Sequence, residues 1–260
     1  MNTNSRSPSA DTAPQLDRGL GRRHERWPDV RVDETVTLRR CAMYRKAFRR
    51  TAISYPAAVL RMDAVATWVR RHGVGIDVAT AEDLDHTLAA GIAPLRIVMH
   101  CRDGDAGPTR LAVNAGIGRF VVNSSQQLAS LASGDPRPQR VLIDVTSESA
   151  ETFLAPVSSC GRLDLIGLHC QLGDAGDDPA RRSVFDMVAQ MSWIHRKYGV
   201  ILTRVSIAEG EASDWRCQPS DLSRVAEVLN DAVEDACARY RYPQPALVLS
   251  PRRSALLLAH

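Results

Sequence analysis

Short apolar runs return along the chain at a regular interval, and nearly every one ends in a polar turn followed by a helical pattern. The clearest is 163–174, Leu-Asp-Leu-Ile-Gly-Leu-His-Cys-Gln-Leu-Gly-Asp, with a helical segment starting at Pro179. An apolar run closed by a polar, glycine-bearing turn is the pattern of a β-α unit in a parallel sheet, whose strands are buried on both faces. The same reading predicts strands at Ala52–Ala57, Gly75–Ala79, Arg96–Cys101, Arg119–Asn123, Arg140–Val145, Leu163–Gln171, Arg204–Ala208 and Ala246–Ser250. Between them, helical faces repeat at Met62/Val65/Val69, Val184/Val188/Met191/His195 and Leu222/Val225/Val228/Leu229. Thr80 ahead of Asp83 and Ser124 ahead of Gln127 predict helix starts by side-chain capping.

Two further elements precede the series. Val30–Asp33 alternates like a short extra strand, and Glu34–Phe48 reads as a helix. Residues 1–28 are rich in Ser, Pro, Asp and Arg with few large apolar side chains, which predicts a disordered tail. Residues 29–260 are then one domain. Eight β-α repeats at this spacing predict a (β/α)8 TIM barrel rather than an open doubly wound sheet. No glycine-rich nucleotide fingerprint follows any strand.

Composition changes this picture little. The net charge is +3, which gives no nucleic-acid surface, and no apolar run approaches the roughly 20 residues of a membrane span. A cytoplasmic location is expected. Six cysteines without a CxxC pair read as free thiols of a reducing compartment. Basic residues are almost all arginine, the two lysines being Lys46 and Lys197.

Several motifs, read in order, resemble one family. Val32-Asp33-Glu34, Ile53–Ala58 (ISYPAA) and Gly75–Leu84 (GIDVATAEDL) are followed by Arg96–His100 (RIVMH) and Ala115–Gly118 (AGIG). Val121–Ser124 (VVNS), Gly167–Gly173 (GLHCQLG) and Pro245–Arg253 (PALVLSPRR) complete the set. Together they resemble the barrel of the fold-type III pyridoxal-phosphate decarboxylases. The likeness is greatest to the diaminopimelate decarboxylases, with ornithine/arginine decarboxylases and alanine racemase as more distant kin.

That resemblance implies a pyridoxal-phosphate site at the C-terminal ends of the strands, and the chain departs from it at each chemical position. The lysine that carries the Schiff base falls on Ala58. The ring-stacking histidine falls on Gln171. The glycine triplet that cradles the phosphate is Ala208-Glu209-Gly210, the acid that pairs with the ring nitrogen is Ser250, and a glycine after it is Arg252. Asp144 stands where an arginine is frequent. His100, His169, Asp77, Gly210 and Arg253 are the residual pocket candidates. No catalytic residue, cofactor or metal is expected.

The resemblance therefore implies a non-catalytic pseudoenzyme or a partner or regulatory protein. Its partner would be a full-length decarboxylase homologue or a second copy, met through the Val30–Asp33 strand, since the family continues past its barrel into a β domain. The alternative is an active enzyme, within the decarboxylase family or with a rebuilt cofactor-independent site using His100, His169, Glu209 and Arg253. Smaller expectations follow from residue type. His100-Cys101 and His169-Cys170 are poor zinc pairs, because adjacent strand residues point to opposite faces. Asp77 and Glu82 are expected to pair with an arginine or cap a helix. Glu209, Glu211 and Asp214 read as a solvated acidic turn, and Met187, Met191 and Trp193 as helix packing.

Overall fold

In the computed structural model the described residues are 33–133, 137–158, 161–173, 178–210 and 217–257. The chain divides into two compact units, Met1–Val30 and Arg31–His260, and the described residues all lie in the second. The expected tail at 1–28 and strand residues Val30–Val32 are outside them.

The first element is α1 (Glu34–Ala47). Asp33, expected to end a strand, is instead its N-cap, accepting from the Val36 N–H at 3.1 Å. Aspartate is among the preferred residues there, because its carboxylate satisfies a helical N–H that has no partner within the helix. A regular succession follows: β1 (Ala52–Pro56), a 3-10 turn at Ala57–Arg61, α2 (Asp63–His72), β2 (Gly75–Val78), α3 (Ala81–Ala89) and β3 (Ile97–His100). It continues through α4 (Gly107–Asn114), β4 (Arg119–Val122), α5 (Ser125–Ala132), β5 (Gln139–Asp144) and α6 (Glu151–Ser158). It closes with β6 (Leu163–Gln171), α7 (Pro179–Tyr198), β7 (Arg204–Ala208), α8 (Pro219–Tyr240), β8 (Ala246–Ser250) and α9 (Arg253–Leu257).

The strands form a closed parallel barrel in sequence order, with β8 returning to β1 at Ala52↔Val248 and Ile53↔Leu249. This is the (β/α)8 TIM barrel the repeats predict, and its strands fall within one or two residues of the predicted ones. Thr80 and Ser124 cap α3 and α5, accepting from the Asp83 and Gln127 N–H groups. Among the described residues no helix is long and apolar enough to cross a membrane.

The main core lies between the outer face of the barrel and the helices. Leu84, Ile76, Met99, Phe120, Leu128 and Ile143 are among its fully buried side chains. A separate small cluster, Val98, Val121 and Leu142, fills one side of the barrel interior. One irregularity decides what else faces inward. Val141 pairs with Leu165 but Leu142 pairs with Gly167, so Ile166 is an extra residue in β6. Leu163 and Leu165 point to the outer core before this bulge, and Leu168 and Cys170 after it. Gly167 and His169 are thereby turned into the barrel, as a bulge does by shifting a two-residue period by one.

Candidate functional site

At the C-terminal half of the barrel, inward-facing polar side chains from six strands meet. The Ser54 hydroxyl of β1 donates to Asp77 Oδ1 at 2.6 Å, and His100 Nε2 of β3 stands 3.6 Å from the same oxygen. Ser250 of β8 also hydrogen-bonds this carboxylate. Burial alone would raise the Asp77 pKa, but the bonds from His100, Ser250 and Ser54 hold it below the ordinary value. His169 lies edge-on to His100, with ring centroids 5.1 Å apart, and its Nδ1 is 3.0 Å from Ser206 Oγ. Burial, and then the neighbouring His100, push the His169 pKa from 6.5 down to about 4, so at neutral pH the ring carries no charge.

A second cluster sits at the end of β7. The Glu209 N–H donates to the Ser250 carbonyl at 2.9 Å, which carries the β7–β8 ladder one residue past the strand. The residue is only 3% exposed. Tyr44 Oη of α1 donates to Glu209 Oε2 at 2.9 Å, the Arg252 N–H donates to the same oxygen at 3.2 Å, and Arg252 Nε stands 3.3 Å from Oε1. Burial, followed by the adjacent Glu209 charge, raises the Tyr44 pKa well above its usual value, keeping it a donor. Beside it Gly210 approaches the Leu172 carbonyl so closely that an added Cβ would lie 2.0 Å from the oxygen. The expectation of a solvated acidic turn is corrected at Glu209, which is a buried, ion-paired carboxylate. Glu211 and Asp214 lie outside the described residues.

Of the predicted site residues, the barrel brings Asp77, His100 and His169 together, with Glu209 and Gly210 at its rim. Arg253 is exposed at the start of α9, and it is Arg252 that pairs with Glu209. Ala58 lies in the 3-10 turn directly after β1. Gln171 is exposed at the end of β6. Asp144 receives the Thr146 N–H at 2.9 Å, and the Thr146 hydroxyl receives the Gln171 N–H at 2.8 Å, tying the ends of β5 and β6.

Both lysines are on the outer helices. Lys46 is exposed in the last turn of α1, and Lys197 of α7 reaches Glu151 at 3.4 Å while lying over the Trp193 ring. Among the described residues no group of three His, Cys, Asp or Glu side chains could hold a metal ion. Cys101 is buried with its pKa raised by that burial to about 11, and Cys170 points to the outer core, away from His169. The described cysteines are free thiols, as expected. Glu82 makes only a surface pair with Arg61 at 3.6 Å, while Asp83 and Thr80 cap α3. Met187 and Met191 are buried in the helix–barrel core, with Trp193 packed against it.

Tyr44 and Arg252 are what sequence reading missed. Tyr44 lies far from Glu209 in the chain and meets it only when the barrel closes. Arg252 was legible only as a residue in place of a glycine.

With this geometry in place, the relatives are informative. A closed barrel whose polar groups gather at the C-terminal strand ends defines the class, and residues 35–154 match the family described as pyridoxal-dependent decarboxylase, pyridoxal binding domain. The chain is thus similar to the fold-type III pyridoxal-phosphate decarboxylases, in keeping with its motifs. Diaminopimelate decarboxylase of Corynebacterium efficiens is 27% identical over 86% of this chain and 56% of its own length. That of Actinosynnema pretiosum is 24% identical over 88% and 58%. Among solved structures, diaminopimelate decarboxylase from M. jannaschii superposes with a TM-score of 0.72 at 15% identity, covering 87% of this chain and 60% of that one. The Helicobacter pylori enzyme complexed with L-lysine gives 0.71 at 16%, covering 86% and 63%. The chain thus spans little more than half the length of the curated relatives it matches.

Proposed function

We propose that this barrel is a non-catalytic relative of the diaminopimelate decarboxylases, working as a partner or regulatory protein and not as a decarboxylase in its own right. The observation that carries the reading is Glu209. Where the resemblance implies a glycine cradle for a phosphate dianion, this chain puts its own carboxylate, buried and bonded to Tyr44 and Arg252. Two anions at a few ångströms repel by several kcal/mol at intermediate dielectric, roughly 4 at 4 Å. Ala58 offers no amine, and the Lys46 and Lys197 amines stand on the outer helices. Ser250, in place of an acid, spends its hydroxyl on Asp77. On this reading the residues present do not fit pyridoxal phosphate.

The test is an absorbance titration of the purified full chain with pyridoxal phosphate, followed by borohydride reduction and mass analysis. The expected result is the spectrum of free cofactor and no adduct. A new visible band with an adduct on Lys46 or Lys197 would overturn the reading. Its partner half is tested by capture of a full-length diaminopimelate decarboxylase on the immobilised chain. No capture, together with a monomeric mass in solution, would remove that half.

A second reading has its own support in the Asp77–His100–His169 cluster. An ionised carboxylate against one imidazole, beside a neutral second imidazole, is a workable acid–base arrangement without cofactor. Glu209 and Arg253 were the other residues expected in such a site. If a turnover is found, alanine at His169 and Arg253 should abolish it. An unchanged rate in both variants would sink this reading.

A further inference from the structure

The lower half of the barrel interior holds a cavity that shares Asp77 and Ser250 with the upper site but has a floor, around Arg119 and Thr51, that neither reading uses. Several inward positions there are small, among them Gly75, Ser54 and Ser206. They leave a cavity of about 270 Å³. It extends from Asp77 and Ser250 at mid-barrel to Thr51, Ala52 and Gly73 at the N-terminal strand ends, where Ala52 and Gly73 are exposed. The volume is that of several waters or one small molecule, and the lining is polar enough to keep it wet.

Two buried polar atoms on this lining have no hydrogen-bond partner among the described residues, Arg119 Nε and Thr51 Oγ1. Arg119 is the more telling. Its register, Asp77↔Val98↔Arg119 across β2, β3 and β4, turns it inward. The charges acting on it are Arg204, then Asp77, then Arg140, two of its own sign and one opposite. Asp77 is already engaged by Ser54, His100 and Ser250. Arg45 and Arg96 also line the cavity, and Arg96 is spent on the Val69 and Val74 carbonyls at 2.5–2.9 Å. Burial, and then Arg204, push the Arg119 pKa below the guanidinium range. A half-buried guanidinium with its Nε buried and unpartnered, and with two like charges acting on it, gains from an anion that meets it.

We propose that this floor cavity binds a small oxyanion, a carboxylate or a phosphate, with Arg119 as its counter-ion and the Thr51 hydroxyl as a second donor. The site lies at the opposite end of the barrel from Glu209 and Arg252. A planar guanidinium suits either anion by paired hydrogen bonds.

The test is thermal unfolding and isothermal titration of the full chain at low ionic strength with inorganic phosphate, sulfate, acetate and malonate, against chloride at matched ionic strength. The expected result is saturable stabilisation by at least one oxyanion, the phosphate and carboxylate arms showing which group the cavity takes. Arg119→Met should weaken that binding at least tenfold. Val248→Phe, which fills the cavity and leaves Arg119 in place, should do the same, and it decides the matter if the first variant fails to fold. Arg252→Met should leave binding unchanged. Stabilisation no greater than with chloride, binding that survives Val248→Phe, or binding lost in Arg252→Met instead would each overturn the proposal. None of these outcomes depends on whether the upper site takes pyridoxal phosphate.

Discussion

His169 and Glu209 are single residues whose environments decide their chemistry. The folded-state pKa of His169 is near 4 against 6.5 for an exposed imidazole, so the unfolded chain takes up a proton there first. Stability from this residue is therefore complete above pH 6.5 and drains away as the pH falls from 6.5 toward 4, by up to about 3 kcal/mol. Asp77 acts in a lower window: its depressed pKa gives stability that is present above the ordinary carboxylate value of 3.8 and is lost below it. Urea unfolding at pH 7, 6, 5 and 4.5 should show a steep decline in the parent chain and a flattened one in His169→Gln. Parallel curves would mean the ring titrates normally. Glu209→Ala removes the carboxylate that faces the part-buried Arg252 guanidinium and should cost about 1–3 kcal/mol in the same assay, with part of the loss recovered in Glu209→Ala/Arg252→Leu. A single-variant loss under 1 kcal/mol would show that water reaches the pair. Neither residue's state was legible beforehand. A glutamate in a polar turn looks solvated until Tyr44 and Arg252 are placed around it.

Elements were far more legible than sites, for a physical reason. Each strand is a short apolar run that must be buried on both faces, and several helix starts (Asp33, Thr80, Ser124 and Asp178) have a side-chain oxygen that caps them, so local chemistry marks many of the boundaries. Of the expected strand Val30–Asp33 only Asp33 lies among the described residues. Four alternating residues carry a weak signal, and Asp33 serves as the α1 cap instead. The bulge at Ile166 was not legible either, since an extra residue in an apolar run leaves no compositional trace. Yet it is what brings His169 to His100. The backbone contact that follows it is testable. An alanine Cβ at Gly167 would lie 2.3 Å from the Arg204 carbonyl oxygen. Gly167→Ala should therefore cost about 2 kcal/mol or more by forcing β6 and β7 apart, whereas Gly161→Ala, with open space around it, should stay within about 0.5 kcal/mol. Comparable melting temperatures for the two variants would show that the β6–β7 seam yields without penalty.

At the scale of the whole molecule, the order of the motifs made the barrel and its relatives legible, because spacing survives when individual side chains change. What the interior does with its volume was not, since a cavity is a property of eight strands at once. Closure also ties sequence-distant parts together. Ile53 pairs with Leu249, and the Thr37 hydroxyl and Arg40 guanidinium of α1 both donate to the Leu256 carbonyl in α9. On the ribosome this has a temporal meaning. β1 emerges early with one edge unsatisfied and waits for β8, so the growing chain is an open, curved sheet through most of its synthesis. Its window of vulnerability to chaperone capture or misassociation is set by how quickly the last strand clears the exit tunnel, and slower translation late in the message would widen it.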